Sequence, residues 1–243
     1  MNLIIDVGNT RIKAAVFEND TLLEVLIFDS NELLNKIDLF IKKYTINHGL
    51  ISSVKYIPEN TLNQLRNKVP FLFLDSSTKV PFKNLYKTPK TLGVDRIALV
   101  ANAVDKFQEK NVLIIDAGTC ITFDFVNKYK EYLGGAISLG VEMRYKSLHK
   151  YTSKLPLLDK KKPESFIGRT TNENIHSGVI NGVLNELNGV IEQYERENSF
   201  LTVVLTGGDT NFLAKQLKSS IFANPNFVLE GLNTILIYNN KEC

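Results

Sequence analysis

The sequence predicts an α/β protein made of two related halves, and three observations carry that expectation. The apolar run Leu3-Ile4-Ile5 leads into Asp6-Val7-Gly8-Asn9-Thr10 and then into a second apolar stretch, Ile12 to Phe17. A short apolar run reads as a buried strand, and Gly-Asn marks the tight turn of a hairpin. The pattern recurs about 110 residues later, where Val112-Leu113-Ile114-Ile115 runs into Asp116-Ala117-Gly118-Thr119 and on through Cys120 to Val126. Strand and helix patterns alternate around these two hairpins, which indicates mixed sheets with helices on their faces. The halves are expected to be residues 1–108 and 109–243.

In the first half, Leu22 to Phe28 reads as a third strand, and Asn31 as the cap of a helix carrying Leu33, Leu34, Ile37, Leu39, Phe40 and Ile41. Gly49 to Val54 is a fourth strand, Thr61 to Val69 a helix after Pro58, and Phe71 to Leu74 a fifth strand stopped by Asp75-Ser76-Ser77. Ile97 to Ala103 is a strong helical pattern. Gly93 to Arg96 therefore occupies its first turn or the loop before it, where backbone N–H groups lack partners and anions are favoured.

In the second half, Val112 to Asp116, Thr119 to Asn127 and Tyr132 to Ile137 repeat the three-strand opening. Gly134-Gly135 permits either close approach of a ligand to the backbone or a bulge with no ligand. Gly140 to Tyr151 reads as a helix, Leu157 to Arg169 as a polar, basic loop, and Thr171 as the cap of a long helix reaching about Glu195. That helix carries Ile175, Val179, Ile180, Val183, Leu184 and Leu187, a wider apolar face than one sheet must cover. His176, without a neighbouring Cys or acidic ligand pattern, reads as structural. Leu201 to Leu205 is a strand, and Thr206-Gly207-Gly208-Asp209 leads into a helix from Asn211 to Leu217, a platform suited to a base, ribose or phosphate. Phe227-Val228-Leu229 reads as a short strand and Gly231 to Tyr238 as a closing helix.

Composition excludes several classes of function. The chain has 243 residues, 44% hydrophobic, and a formal charge of only +3 spread along its length, so neither a nucleic-acid nor a membrane partner is expected. The dense run Lys160-Lys161-Lys162 reads as a solvated loop. Cys120, inside a predicted strand, and Cys243, at the terminus, form no disulfide framework or metal spacing. With no signal-peptide pattern and no apolar run approaching a membrane span, a reducing cytoplasm is the expected compartment.

The chemistry points to phosphate. A strand-end turn with a hydroxyl and Lys13 can cradle a phosphate chain, and Asp6 can hold a divalent cation. An ordinary Asn-Gly hairpin would look the same. Asp95 has two readings as well, a routine acidic residue at a helix start or a proton acceptor beside an arginine that clamps an anionic substrate.

Taken together, Asp6-Val7-Gly8-Asn9-Thr10 with Lys13, Tyr86 with Pro89, Leu92-Gly93-Val94-Asp95-Arg96, Asp116-Ala117-Gly118-Thr119, Gly134-Gly135-Ala136-Ile137, Gly168-Arg169 with Thr171, and Thr206-Gly207-Gly208-Asp209 resemble type III pantothenate kinase. The blocks span nearly the whole chain in the family's order. The resemblance implies duplicated ribonuclease-H-like domains of the acetate and sugar kinase, heat-shock ATPase and actin superfamily. It implies ATP-dependent phosphorylation of pantothenate to 4′-phosphopantothenate, the first step of coenzyme A biosynthesis. By position, Asp6, Val7, Gly8, Asn9, Thr10, Arg11, Ile12 and Lys13 would bind ATP, with Asp6 near Mg2+, and Thr119 would also contact ATP. Tyr86, Gly93, Val94, Asp95, Arg96 and Thr171 would bind pantothenate, with Asp95 as the catalytic proton acceptor. Asp116 would bind a monovalent cation, K+ or NH4+. The family's two-fold interface implies a homodimer in which Thr171 reaches the partner's pocket. One departure is visible, Leu139 where the family usually has proline. Two rivals stay open at this level: a nucleotide or polyphosphate hydrolase of the same superfamily, and a catalytically silent nucleotide-binding regulator.

Overall fold

The computed structural model describes residues 1–217 and 220–241, so Cys243 lies outside the described residues. The chain forms two compact units. The first takes Met1–Glu109, Tyr129–Leu133 and the described residues from Asn226 onward; the second takes Lys110–Lys128 and Gly134–Pro225.

The first unit opens with β1 (Asn2–Val7), β2 (Ile12–Glu18) and β3 (Thr21–Phe28), then α1 (Leu33–Lys43), β4 (His48–Ser53), α2 (Glu59–Arg66) and β5 (Phe71–Phe73). Their order in the sheet is β3-β2-β1-β4-β5. The β1–β2 and β2–β3 pairs are antiparallel, as hairpins must be, and β4 and β5 join in parallel through crossover helices. Alternation decides the two faces. Leu3, Ile5, Ala14, Val16 and Ile51 meet Leu33, Ile37 and Phe40 of α1 and Leu65 of α2. The opposite face is covered by α3 (Val94–Lys106) and α7 (Phe227–Asn240). A 3-10 turn, Ser30–Glu32, precedes α1, and the Glu32 carboxylate accepts from the Asp29 N–H at 3.4 Å. Asp29, not Asn31, therefore begins this helical segment.

The second unit repeats the plan with β7 (Val112–Ala117), β8 (Cys120–Val126), β9 (Glu131–Leu139), α4 (Val141–Lys150), α5 (Thr171–Glu197), β10 (Thr202–Thr206), α6 (Thr210–Ala214) and β11 (Phe222–Ala223). These strands lie in the order β9-β8-β7-β10-β11, the same arrangement as in the first unit. The duplication expected from two Asp-x-Gly hairpins is thus present in the topology. A strand absent from the sequence reading, β6 (Lys83–Asn84), pairs in parallel with the first residues of β9, Glu131 and Tyr132, which belong to the first unit.

Several local expectations are corrected. Phe227-Val228-Leu229 is not a strand; it forms the first turn of α7, and the final strand is instead Phe222–Ala223. A three-residue apolar run does not distinguish the two conformations. Packing does: Phe227 stacks on Phe107 at 6.5 Å, and its carbonyl accepts from Asn102 Nδ2 at 2.9 Å. The cap of α5 is Thr170, whose hydroxyl accepts from the Glu173 N–H at 3.3 Å while the Glu173 carboxylate accepts from the Arg169 N–H at 2.7 Å. Thr171 is the exposed first helical residue. The wide apolar face of α5 needs no partner, because Ile175, Val179, Ile180, Val183 and Leu187 are buried in the unit's own core and Leu184 packs against it. The glycine pair in β9 serves the sheet: Gly134 has φ 106°, and a Cβ on Gly135 would lie 1.6 Å from the Phe123 carbonyl oxygen.

The α3–α7 contact is an extensive helix pair of the first unit. A Cβ on Gly231 would lie 1.9 Å from the Ala98 carbonyl oxygen, so the helices approach backbone to backbone. Gly231→Ala is expected to destabilise the protein by about 2 kcal/mol, the usual cost of overpacking, despite the better helix propensity of alanine. Urea unfolding checks this; an equal or higher midpoint would show that the helices separate freely.

Candidate active site

In the first unit the candidate residues converge on the end of β1. After Asn2 this strand is buried except at Asp6, whose neighbours Ile5 and Val7 are in the core. Asp6 pairs with Lys13 across the hairpin and with Ser52 on the parallel strand. Burial pushes its carboxyl up to about 6; Lys13 opposes that shift, Asp95 reinforces it by like-charge repulsion, and the adjacent Ser52 hydroxyl lowers it slightly. The fold therefore places Asp6 and Asp95, 89 positions apart in the chain, near enough to interact. The Gly8 N–H closes the turn by donating to the Arg11 carbonyl at 3.1 Å, so the groups presented outward are Asn9, Thr10 and Arg11.

Asp95 combines its two sequence readings. Gly93 precedes α3, and the Asp95 carboxylate accepts from the Arg96 N–H at 2.9 Å, as a first-turn acid does. It also folds back over Gly93, where a Cβ would come within 2.4 Å of Asp95 Oδ1. The glycine makes room for this orientation. Arg96 is buried, with its guanidinium 5.8 Å from the centre of the Tyr86 ring, and Tyr86 stacks on Tyr132 at 6.1 Å. Asn84 holds this stack in place by accepting from the Tyr86 N–H at 3.0 Å. Tyr132 and Asn84 were not singled out in the sequence, since nothing local connects them to Tyr86. Val7 and Ile12 are core residues flanking the turn, and Val94 is the first residue of α3.

The second unit has a matching strand end. Asp116 interrupts the buried pattern of β7 where Asp6 interrupts that of β1. The Gly118 N–H donates to the Cys120 carbonyl at 3.0 Å. This turn is one residue shorter, since Val7 pairs with Ile12 but Ala117 with Ile121. The residue opposite Asp116 is Thr122, where the first unit has Lys13. Thr206 is its parallel-strand neighbour. Gly207 has φ 95°, and a Cβ there would lie 2.3 Å from Asp116 Oδ1, so the Thr206-Gly207-Gly208-Asp209 turn closes directly over the carboxylate. The Asp209 N–H donates to the Ala117 carbonyl at 3.0 Å, and its carboxylate is paired with Lys160. The basic run is therefore not wholly solvated. Thr119 is exposed at the turn, and Thr171 is exposed at the start of α5.

Other sequence candidates have structural roles. His176 Nδ1 meets the Tyr145 hydroxyl at 2.9 Å, and among the described residues no group of His, Cys, Asp and Glu forms a metal cluster. Leu139 ends β9, with its carbonyl accepting from Arg144 Nε at 2.9 Å. Cys120 is a free thiol at the start of β8. No described helix is long and apolar enough to cross a membrane.

Two neighbouring carboxylates beside a tight strand-end turn, and a third carboxylate closed over by a glycine turn, form oxygen-rich settings suited to hard cations and a polyphosphate. The comparisons with known proteins agree. The family model for type III pantothenate kinase matches residues 2–193. Proteins named type III pantothenate kinase are 50% identical in Christiangramia forsetii, over 100% of both chains, and 46% identical in Flavobacterium johnsoniae, over 98% of each. The chain belongs to the type III pantothenate kinase family. Its fold resembles that of a Baf family protein from Campylobacter jejuni, at TM-score 0.62 and 21% identity over 98% of this chain and 99% of the other. It also resembles a ROK family glucokinase from Streptomyces griseus, at TM-score 0.53 and 8% identity over 96% and 97%. This is the duplicated ribonuclease-H-like kinase fold. Membership of a kinase family implies ATP and a divalent metal, and the strand-end carboxylates fit that requirement.

The elevated Asp6 carboxyl makes a signed prediction. Its folded value of about 6 exceeds the unfolded 3.8, so the folded state retains a proton that the unfolded chain releases. Stability should fall as pH rises through this window, by at most about 3 kcal/mol. Asp6→Asn, studied in a chelator, should match the parent near pH 4 and exceed it in thermal stability at pH 7 to 8. A gap that does not change with pH would show that Asp6 is well solvated.

Proposed function

We propose that this chain transfers the γ-phosphoryl group of ATP to the primary hydroxyl of pantothenate, giving 4′-phosphopantothenate and ADP in the cytoplasm at the start of coenzyme A synthesis. The convergence of Asp95 with Asp6 beside the Arg96–Tyr86–Tyr132 stack carries this reading. Asp95 accepts the proton of the attacking hydroxyl as the new O–P bond forms and the bond to the β-phosphate bridging oxygen breaks. Arg96 holds the pantothenate carboxylate, with Tyr86, Gly93 and Val94 shaping that subsite. The turn from Asp6 to Lys13 and exposed Thr119 bind ATP. Mg2+, when bound near Asp6, supplies charge neutralisation on the phosphates. Asp116 faces Thr122 where Asp6 faces Lys13, which supports a monovalent cation, K+ or NH4+, as its counter-charge.

The working unit in this reading is a homodimer in which Thr171 completes the partner's pantothenate pocket. Exposed Ile137, Leu157, Phe166 and Ile167 support a contact through the second unit. A passive nucleotide sensor has no need of a proton acceptor, so the placement of Asp95 favours turnover.

A coupled assay of ADP release tests the reading: release should depend on pantothenate and on K+ or NH4+. Pantothenate-independent release would instead identify a hydrolase. Asp95→Asn should lower transfer on the order of 100-fold or more while ATP binding, followed calorimetrically, persists. Near-parental turnover would remove Asp95 from the role of base. Mixing Asp95→Asn subunits with Thr171→Arg subunits under exchanging conditions should restore activity, because one pocket of the mixed dimer holds neither defect. A monomer by sedimentation, or no recovery on mixing, contradicts the shared pocket.

A further inference from the structure

Among the described residues, four buried side-chain polar atoms have no hydrogen-bond partner: Ser52 Oγ, Thr206 Oγ1 and one amide oxygen each of Asn102 and Asn188. The two hydroxyls occupy equivalent places in the duplicated fold. Ser52 is the parallel-strand partner of Asp6, and Thr206 is the parallel-strand partner of Asp116. Directly paired residues of neighbouring strands project from the same face, so each hydroxyl lies beside its acid. Both residues are fully buried. Buried hydroxyls are ordinarily bonded, and a repeated exception calls for a ligand that the hydroxyl serves. The two sites share little else: Lys13 faces one acid and Thr122 the other, and the turns differ in length. What the duplication has kept in common is an acid with a neutral oxygen beside it.

We propose that Ser52 and Thr206 are cation-positioning residues, each supplying the neutral oxygen that works with its neighbouring carboxylate to hold a cation: divalent at Asp6 and Ser52, monovalent at Asp116 and Thr206. This rests on the reading of both strand ends as cation sites. Hard cations and their bound waters are held by mixed sets of carboxylate and neutral oxygens, and a hydroxyl has two lone pairs to accept and one rotatable proton to donate. At Asp116 the room is made by Gly207, where a Cβ would fall on the carboxylate. In the first unit, Ser53, the residue after Ser52, donates its hydroxyl to the Lys55 carbonyl at 2.7 Å, while the Ser52 hydroxyl faces Asp6, near enough to favour its charged form but without a hydrogen bond of ordinary geometry.

The experiment measures cation binding directly. Mn2+ affinity in the presence of ATP is read by electron paramagnetic resonance, and K+ affinity by the K+ concentration that half-raises the melting temperature of the Mg-ATP-loaded protein. Ser52→Ala should weaken Mn2+ binding about tenfold, the scale of a lost hydrogen bond to a charged group, and leave the K+ midpoint unchanged. Ser52→Cys, close in size but with a soft sulfur, should behave like Ser52→Ala. Thr206→Val should do the reverse, and Thr206→Ser should restore the K+ midpoint. Without cations Thr206→Val should not melt below the parent, since it removes a buried polar atom that has no hydrogen-bond partner. Unchanged midpoints in all variants, or equal losses of both cations in each, overturn the proposal. If the parent binds Mn2+ with ATP yet does not phosphorylate pantothenate, the functional reading fails and this one stands. If the parent is a pantothenate kinase and the variants bind both cations as it does, only this inference fails.

Discussion

A carboxylate at the end of a buried central strand is the constraint on which both units depend. β1 and β7 lie in the middle of their sheets with side chains packed on both faces, and the strand end is where a charged group can keep contact with solvent. Asp6 and Asp116 occupy those ends. The hairpin that follows each must turn at once, which places a glycine two residues beyond each acid. The parallel neighbour, β4 or β10, then brings a hydroxyl alongside. Sheet order, turn position and site geometry therefore follow from one arrangement used twice.

The two copies differ where their chemistry differs. Lys13 opposite Asp6 partly compensates its charge, yet burial and Asp95 still hold the carboxyl near 6. Such a group is poised to gain a cation, because a bound positive charge favours the charged carboxylate and offsets both causes of its elevation. At Asp116 no lysine faces the acid across the hairpin, and a glycine turn encloses it instead. The clamp of Lys160 on Asp209 tethers that turn to the basic loop leading towards α5. In the first unit, α7 performs the corresponding bracing: Asn233 accepts from Asn2 at 2.9 Å and donates to the Asn19 carbonyl at 2.8 Å, tying the helix to β1 and to the β2–β3 turn.

Where sequence reading failed, the failing signal was local and the deciding force was not. Asn31 and Thr171 are reasonable caps by residue type, but the observed helices begin with Asp29, whose N–H donates to the Glu32 carboxylate, and Thr170, whose hydroxyl accepts from the Glu173 N–H while the Glu173 carboxylate accepts from the Arg169 N–H. The apolar breadth of α5 suggested a partner, yet its own unit wraps the helix. The paired glycines of β9 left a ligand and a bulge equally open, and Gly135 admits the neighbouring strand's carbonyl. Each feature has a structural and a functional cause that look alike in one dimension.

What the sequence determined by itself was everything set within a few residues: the two Asp-x-Gly hairpins, their repetition, the apolar strands around them and the helix start at Gly93. These depend on turn chemistry and on alternation of side chains, which are properties of contiguous residues. Only the tertiary structure decided that Asp95 approaches Asp6, that Tyr132 completes the stack of Tyr86 and Arg96, and that Ser52 and Thr206 stand unpartnered beside the two acids. Those juxtapositions join segments far apart in the chain, and they are fixed by which strand lies next to which and by how closely α3 and α7 pack, neither of which leaves a periodic mark in the residues themselves.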